Sequence, residues 1–141
     1  MTISIGITGS RLGATKLQLR VLMGTLLQYY LTEPVELHHG ACIGVDTQAA
    51  LLGRSLWFNL IAHPAENHKY RSTIALDISN TVLPELPYLD RDRVIVDATT
   101  FLIALPNTST PALRSGTWYT YNYAQSKNKA SMLILPDGTV I

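Results

Sequence analysis

Apolar and polar residues follow two patterns along this chain, one typical of strands and one typical of helices, and the two patterns alternate. Short apolar runs rich in β-branched residues predict strands, and they are separated by stretches in which apolar residues recur every three or four positions. The first strand starts at Ile3 and breaks at a glycine turn over Gly9, and the other runs cover residues 35–39, 57–63, 101–105 and 132–135. This alternation is typical of a parallel sheet with helices on both faces.

The helical stretches lie between those strands. Leu19, Leu22, Leu26 and Tyr30 form a stripe that Met23 and Leu27 widen, so we predict a core-facing first helix that Pro34 ends. A second helix runs through Val45, Ala49 and Leu52, a third covers 88–98, and the last opens at residues 114–117. We therefore predict one α/β domain over residues 1–141, a Rossmann-like three-layer sandwich whose parallel sheet has about five strands.

Residues 65–85 show no sustained period and are mostly polar. A loop of this length inside a compact domain is usually functional or mobile. His68, Lys69, Tyr70 and Arg71 lie in it, and the segment is either a lid over a ligand or a solvated insertion.

Composition narrows the class of protein. The 141 residues are 47% hydrophobic and carry a formal net charge of +1, which suits one globular domain and gives no global attraction to nucleic acid. A single cysteine excludes an internal disulfide. No apolar run is long enough to cross a bilayer and the amino terminus does not resemble a signal peptide, so we expect a cytoplasmic protein without membrane or nucleic-acid partners.

Glycine turns follow three of the predicted strands, and they carry the candidate chemistry. In an open parallel sheet, ligands bind beyond the carboxyl ends of the strands, so these turns converge on one crevice. Helix amino termini and free amides there favour an anion such as phosphate, with Ser10 as the predicted cap of the first helix. Each turn taken alone is equally consistent with an empty strand-to-helix connection. The candidate ligand-binding residues are Thr8, Gly9, Ser10, Arg11, Gly40, Cys42, Ile43, Asp46, Arg91, Arg114, Ser115, Gly116 and Thr117.

Four segments resemble the SLOG superfamily of Rossmann-like nucleotide-binding proteins. They are Thr8–Arg11, His39–Asp46, Tyr88–Asp97 and Arg114–Trp118. The superfamily includes the DNA-processing protein A domain, LOG-type cytokinin-activating phosphoribohydrolases and nucleotide-signal sensor domains. The resemblance covers nearly the whole chain except residues 65–85, and it implies a nucleotide-binding crevice without selecting among these functions.

The phosphoribohydrolase branch permits a direct comparison, because it cleaves the base from ribose 5′-monophosphate with an arginine and a glutamate. The resemblance puts Arg91 at the arginine and matches Gly116 and Thr117 to the family's Gly-Thr pair, but Thr120 stands where the glutamate would be. A hydroxyl cannot stabilise an oxocarbenium-like charge as a carboxylate does. Asp46 or Asp97 could substitute only if the fold brings one of them to the glycosidic carbon.

We therefore expect a non-catalytic binder of a phosphorylated nucleoside or of an NAD-derived or cyclic nucleotide signal, acting as a sensor or a sequestering protein. The alternatives are a nucleoside 5′-monophosphate phosphoribohydrolase using Arg91, and an accessory protein that binds single-stranded DNA. No cofactor is expected.

Two further clusters have ordinary and functional readings. Trp118, Tyr119, Tyr121 and Tyr123 crowd the last helix, where they either pack in the core, stack on a base or form a subunit interface. Since SLOG-like proteins are commonly dimeric or larger, a homo-oligomer is expected. His38, His39 and Cys42 lack a fourth ligand at a recognised spacing, so no metal is expected.

Overall fold

A single parallel sheet organises the computed structural model, which describes residues 2–141. The elements are β1 Ile3–Gly9, α1 Lys16–Tyr30, β2 Val35–His39, α2 Val45–Ser55, β3 Asn59–Ala62, α3 Thr73–Ile78, β4 Thr81–Val82, α4 Tyr88–Ala98, β5 Phe101–Leu105, α5 Gly116–Ser126 and β6 Ala130–Leu133. The strand order is β4-β3-β2-β1-β5-β6, and each neighbouring pair is parallel. The α/β three-layer architecture is as the sequence predicts.

Alternating strand positions supply the two faces of the sheet. Ile5, Ile7 and Leu37 pack with α1, α2 and α3 in the larger apolar cluster. On the other face Leu102 packs with Ile95, Val96 and Ala124, which belong to α4 and α5. Because both faces of the central strands are covered, β5 is apolar at five successive positions, as buried parallel strands are.

The direction of chain travel reverses between β1 and β5. From β1 the chain moves outward through β2, β3 and β4, and it then returns to β5 on the other side of β1. Such a reversal opens a gap between the loops at the carboxyl ends of the strands, and in open α/β sheets this gap is the binding crevice. In this chain the gap lies beyond Thr8 and Gly9.

The segment 65–85 is more ordered than its pattern predicts. It contains α3 and the two-residue strand β4, which makes six strands where about five were expected. Ser72 begins α3 by accepting from the Ala75 amide at 3.0 Å. Ile74 and Val82 are exposed, so neither element shows the apolar periodicity by which a pattern could reveal it.

Two predicted strands are displaced at their ends. The third strand begins at Asn59, since Trp57 adopts a left-handed backbone conformation with φ of 62° just after α2. The last strand covers Ala130–Leu133 rather than 132–135. Ile134 instead pairs with Val140 in an antiparallel bridge, which folds the carboxyl-terminal tail back along the edge of the sheet.

Helix α1 differs from the prediction in its start and in its orientation. It begins at Lys16 and is capped by Thr15, which accepts from the Gln18 amide, so Ser10 is not its cap. Leu22 and Leu26 are buried, but Met23, Leu27 and Tyr30 are each a little under half exposed. The apolar stripe is therefore wider than the sheet can cover, and these three residues do not face the core. Among the residues described, no helix is long and apolar enough to cross a membrane.

Candidate ligand-binding site

A crevice of about 600 Å³ opens at the carboxyl ends of β1, β2 and β5. It is lined by twelve of the thirteen residues that the sequence singles out. Ile43 is the exception, because its side chain is exposed to solvent away from the crevice. Three loops distant in sequence thus meet at the point where the chain reverses direction.

Gly9 is required by packing rather than by a ligand. A Cβ at this position would overlap the side chain of Val45, the first residue of α2. The loop after Gly9 runs outward through six residues before α1 begins, and the Ser10 hydroxyl accepts from the Leu12 amide at 3.0 Å. The first glycine turn therefore brings α2 against β1 and does not aim the amino terminus of α1 at the crevice, as the sequence suggested.

Arg91 is buried at the floor of the crevice, where it joins the ends of two strands. Its Nη1 donates to the carbonyl oxygens of Gly40 at 2.5 Å and His63 at 3.1 Å, and its Nε donates to Asp92 at 2.7 Å. Burial disfavours the guanidinium cation, but the neighbouring Asp92, Cys42 and Asp46 outweigh it and raise the pKa of Arg91. Most of its donors are already engaged within the protein. Arg91 therefore stabilises the ends of β2 and β3 as well as lining the crevice.

Asp46 holds the second glycine turn in place. One carboxylate oxygen accepts from the amides of Gly40 at 3.1 Å and Cys42 at 3.2 Å. A Cβ on Gly40 would lie 2.9 Å from the same oxygen, so only glycine lets the turn close around the carboxylate. Burial raises the pKa of Asp46 to about 6, although Arg91 opposes the shift. The free cysteine beside it is also affected, since burial and Asp46 raise the pKa of Cys42 to about 11.

Asp92 is the crevice carboxylate that sequence reasoning missed. It is buried, and its Oδ2 lies 3.8 Å from the position of a Cβ on Gly116. Burial raises its pKa, against the opposing influence of Arg91 and of the Thr120 hydroxyl. Asp97, the substitute considered from the sequence, is exposed and accepts from Tyr123 at 3.0 Å, outside the crevice. Asp92 follows Arg91 directly, and both residues are buried near the start of α4.

The amino terminus of α5 is the helix end that opens into the crevice. Ser115 caps it by accepting from the Trp118 amide at 3.2 Å, while Gly116 and Thr117 line the crevice. Arg114 precedes the cap with φ of 60°. By contrast, the Val45 amide at the start of α2 is bonded to the Ser10 carbonyl at 3.0 Å. The sequence predicted several helix termini open to the crevice, whereas the first amide of α2 is already bonded within the chain.

Two threonine hydroxyls in the crevice have no hydrogen-bond partner within residues 2–141. Thr8 is 8% exposed and Thr117 is 6% exposed, and both line the crevice. Every fully enclosed side-chain nitrogen or oxygen in the described part of the chain is paired, so these two hydroxyls are open to the crevice itself. Each hydroxyl can donate to or accept from a ligand in the crevice.

The segment 65–85 forms one wall of the crevice through Tyr70 and Arg71. The Arg11 guanidinium lies 4.0 Å from the centre of the Tyr70 ring, within cation–π range. Arg71 and His68 both bond to Glu85, and these contacts lower the pKa of that carboxyl. The segment therefore contributes side chains to the crevice, and its role as a lid stays a prediction.

Charge in the crevice is unbalanced. Arg11, Arg71, Arg91 and Arg114 line it with Asp46 and Asp92. Arginine stays protonated at any physiological pH, whereas burial raises the pKa of both aspartates. The net charge of the lining is therefore positive, which favours an anionic ligand.

The histidines lie outside the crevice. His38 Nδ1 is 2.8 Å from His63 Nε2, and burial lowers the pKa of His63 to about 3. His39 bonds to Ser79, and burial lowers its pKa to about 4. Among residues 2–141 no three histidine, cysteine or acidic side chains are placed to hold a metal ion.

The aromatic residues of α5 pack mainly within the protein. Trp118 is buried and donates to Thr108 at 2.9 Å, with Tyr121 against its edge. The Tyr119 hydroxyl accepts from Arg93 at 2.6 Å, and Arg93 lies 4.0 Å from Asp90. These tyrosines do not line the crevice, so base stacking on α5 is not part of the site.

No protein-family model matches the chain, and no curated protein matches it. Solved structures do. The molybdenum cofactor binding protein of the phototrophic bacterium Rippkaea orientalis is 20% identical at a TM-score of 0.70, over 96% of this chain and 77% of that one. The molybdenum cofactor carrier protein of Chlamydomonas reinhardtii is 17% identical at a TM-score of 0.67, over 94% and 76%.

A third similar structure is DNA processing protein A of Helicobacter pylori, described for its single-stranded DNA binding mode. It is 17% identical at a TM-score of 0.65, over 93% of this chain and 64% of that one, so the chain spans less than two thirds of its length. At these identities the likeness shows the fold. The chain shares the Rossmann-like fold of these structures.

Proposed function

We propose that this protein binds a phosphorylated nucleoside, or an NAD-derived or cyclic nucleotide, as a non-catalytic sensor or sequestering protein. The observation that carries the proposal is the pair of unpartnered hydroxyls of Thr8 and Thr117 in a crevice whose lining is net positive. Hydroxyl and amide donors around arginine side chains match the oxygens of a phosphate group.

The size and the lining of the crevice suit a compact nucleotide. About 600 Å³ lies within the range of small-molecule sites. The α5 terminus with Arg114 supplies anion contacts. Tyr70, Tyr88 and Leu113 supply apolar surface for a flat heterocycle.

The similar structures extend the list of ligands to test. Two of them are named for molybdenum cofactor and one for single-stranded DNA. The formal net charge of +1 provides no extended basic track for a polynucleotide, so a small anion is favoured over DNA. Molybdenum cofactor and an oligonucleotide belong in the panel beside the nucleotides.

The testing experiment is mass spectrometry of small molecules released by heating the protein purified from cells. Each recovered compound is then incubated with fresh protein, and calorimetry measures its affinity. An intact nucleotide that rebinds unchanged supports the proposal. Absence of heat and of thermal shift across adenine and guanine nucleotides would refute it, and salt-sensitive binding of the oligonucleotide alone would favour the DNA reading.

A second candidate, hydrolysis of a nucleoside 5′-monophosphate, gains one specific observation. Asp92 puts a carboxylate beside Arg91 in the crevice, in addition to Asp46, which the sequence offered as a substitute for the glutamate. In that reaction water adds to the sugar carbon as the bond to the base breaks, and a carboxylate stabilises the developing positive charge. Release of free base, lost in Asp92→Asn, would establish it. Arg91→Ala is a poor test, because Arg91 also ties β2 to β3.

The proposal includes assembly into a homo-oligomer. The aromatic residues of α5, which the sequence suggested for the interface, are largely taken up by contacts within the chain. Another surface must therefore carry the assembly.

A further inference from the structure

Helix α1 carries exposed apolar residues beside its core-facing side. Met23, Leu27, Tyr30 and Leu31 are spaced by four, three and one residues, which puts them in one stripe of a helix. The stripe adjoins the buried Leu22 and Leu26, since Tyr30 follows Leu26 by four residues. An apolar surface that extends beyond the contact with the core is available to a partner.

The stripe continues beyond the end of α1 onto Trp57. A cavity of about 320 Å³ at the amino-terminal edge of the sheet is lined by Tyr30, Leu31, Glu33 and Trp57, among others. Leu31 is 81% exposed and Trp57 is 90% exposed. Trp57 holds a φ of 62° because it ends α2, where the Phe58 amide donates to the Gly53 carbonyl at 2.9 Å. This helix end presents a large aromatic side chain to solvent beside Leu31.

We infer that this surface, the α1 stripe formed by Met23, Leu27, Tyr30, Leu31 and Trp57, is where a second copy of the chain binds, with the two α1 helices antiparallel across a two-fold axis. The inference specifies the partner surface of the proposed homo-oligomer and does not depend on the nucleotide. In a two-fold interface the same patch serves both copies.

The area of the α1 stripe agrees with a dimer. Side chains of this size and these exposed fractions amount to roughly 600 Å² of apolar surface per copy. A standard stable interface buries about 800 Å² per partner, of which somewhat more than half is apolar. The stripe alone therefore supplies the apolar part of such an interface.

Charge and shape favour a second copy in the antiparallel sense. Lys16 and Arg20 lie at the start of the stripe and Glu33 lies at its far end, and none of the three forms an ion pair within the described residues. An antiparallel pairing centred on Gly24 brings the cations of one copy to the Glu33 of the other. No atom lies within 4 Å of where a Cβ on Gly24 would be, so a second helix can approach closely at that point.

Sedimentation velocity of the full chain over a micromolar concentration series tests the inference. The expected result is the mass of two chains, falling to one chain in Leu27→Glu, because the substitution buries two unpaired charges across the axis. The dissociation constant should rise at least about 100-fold. Val94→Glu on α4 is the matched control, since it changes a similarly exposed apolar residue on the opposite face of the sheet and should leave the dimer intact.

A charge exchange tests the orientation. Glu33→Lys should weaken the dimer about threefold to tenfold, and the double variant Lys16→Glu with Glu33→Lys should restore it. A native chain that stays monomeric, or a dimer that survives Leu27→Glu, overturns the inference. Failure of the exchange to restore affinity overturns the antiparallel arrangement. Circular dichroism of each variant confirms that it is folded, and nucleotide calorimetry on the Leu27→Glu monomer reports on the proposed function separately.

Discussion

Replacing Thr117 by valine should weaken ligand binding without weakening the fold. Thr117 is 6% exposed and lines the crevice, and its hydroxyl has no hydrogen-bond partner within residues 2–141. Valine has nearly the same shape. The substitution therefore removes a hydroxyl that a ligand can contact, without removing a bond within the protein.

The magnitude follows from the difference between free and bound states. In the free protein no internal hydrogen bond is lost, so the free energy of unfolding should change by less than about 0.5 kcal/mol. In the complex, a hydrogen bond to a charged phosphate oxygen contributes about 1.5–3 kcal/mol. The dissociation constant should accordingly rise about 10- to 100-fold.

Thr120→Val is the matched control, one helical turn further along α5. Its hydroxyl donates to the Gly116 carbonyl at 2.7 Å and is fully buried. Removing it deletes one intramolecular hydrogen bond, so this variant should lose about 0.5–1.5 kcal/mol of stability.

Urea unfolding of both variants without ligand, and calorimetry with the tightest-binding nucleotide of the panel, measure the two effects. The reasoning is refuted if Thr117→Val destabilises the free protein as much as Thr120→Val does while leaving the affinity unchanged. In that case the Thr117 hydroxyl is a structural group and not a contact for the ligand.

Three other outcomes are expected. Gly9→Ala should lower the free energy of unfolding by about 1–3 kcal/mol, because the added Cβ overlaps Val45. An unchanged urea midpoint would show that α2 can shift. Burial raises the pKa of Asp46 in the native state to about 6, above its ordinary value of 3.8. Between these two pH values the native state keeps the proton while the unfolded state releases it. The native chain should therefore lose up to about 3 kcal/mol relative to Asp46→Asn as pH rises from 4 to 6, and urea titrations showing a pH-independent difference would contradict this. Arg114→Ala should weaken nucleotide binding and flatten its dependence on salt in calorimetry, whereas an unaltered salt dependence would place Arg114 away from the phosphate.

The candidate site was largely predictable because its residues follow strands. Any chain that alternates strand and helix with short connections brings the carboxyl ends of its strands to one edge. The glycine turns after β1 and β2 and before α5 therefore had to meet, and twelve of the thirteen residues named from them line the crevice. Whether they bind a ligand is a separate question that the proposed experiments address.

Residues that act through packing could not be predicted in this way. In the sequence Asp92 looks like part of a charged helical face, but the structure buries it. Arg91 looks like a ligand contact, but the structure bonds its guanidinium to the carbonyls of Gly40 and His63. Helix α3 and strand β4 left no apolar period because they are short and mostly exposed.

The sequence by itself determined the α/β class, the Rossmann-like layering and the position of the crevice, since these follow from local periodicity and the connectivity of parallel strands. Only the tertiary structure determined which side of α1 faces the sheet, which charges are buried and which hydroxyls remain unpaired. The physical reason is that periodicity reports which residues can be buried, whereas burial itself depends on the contacts that distant segments make.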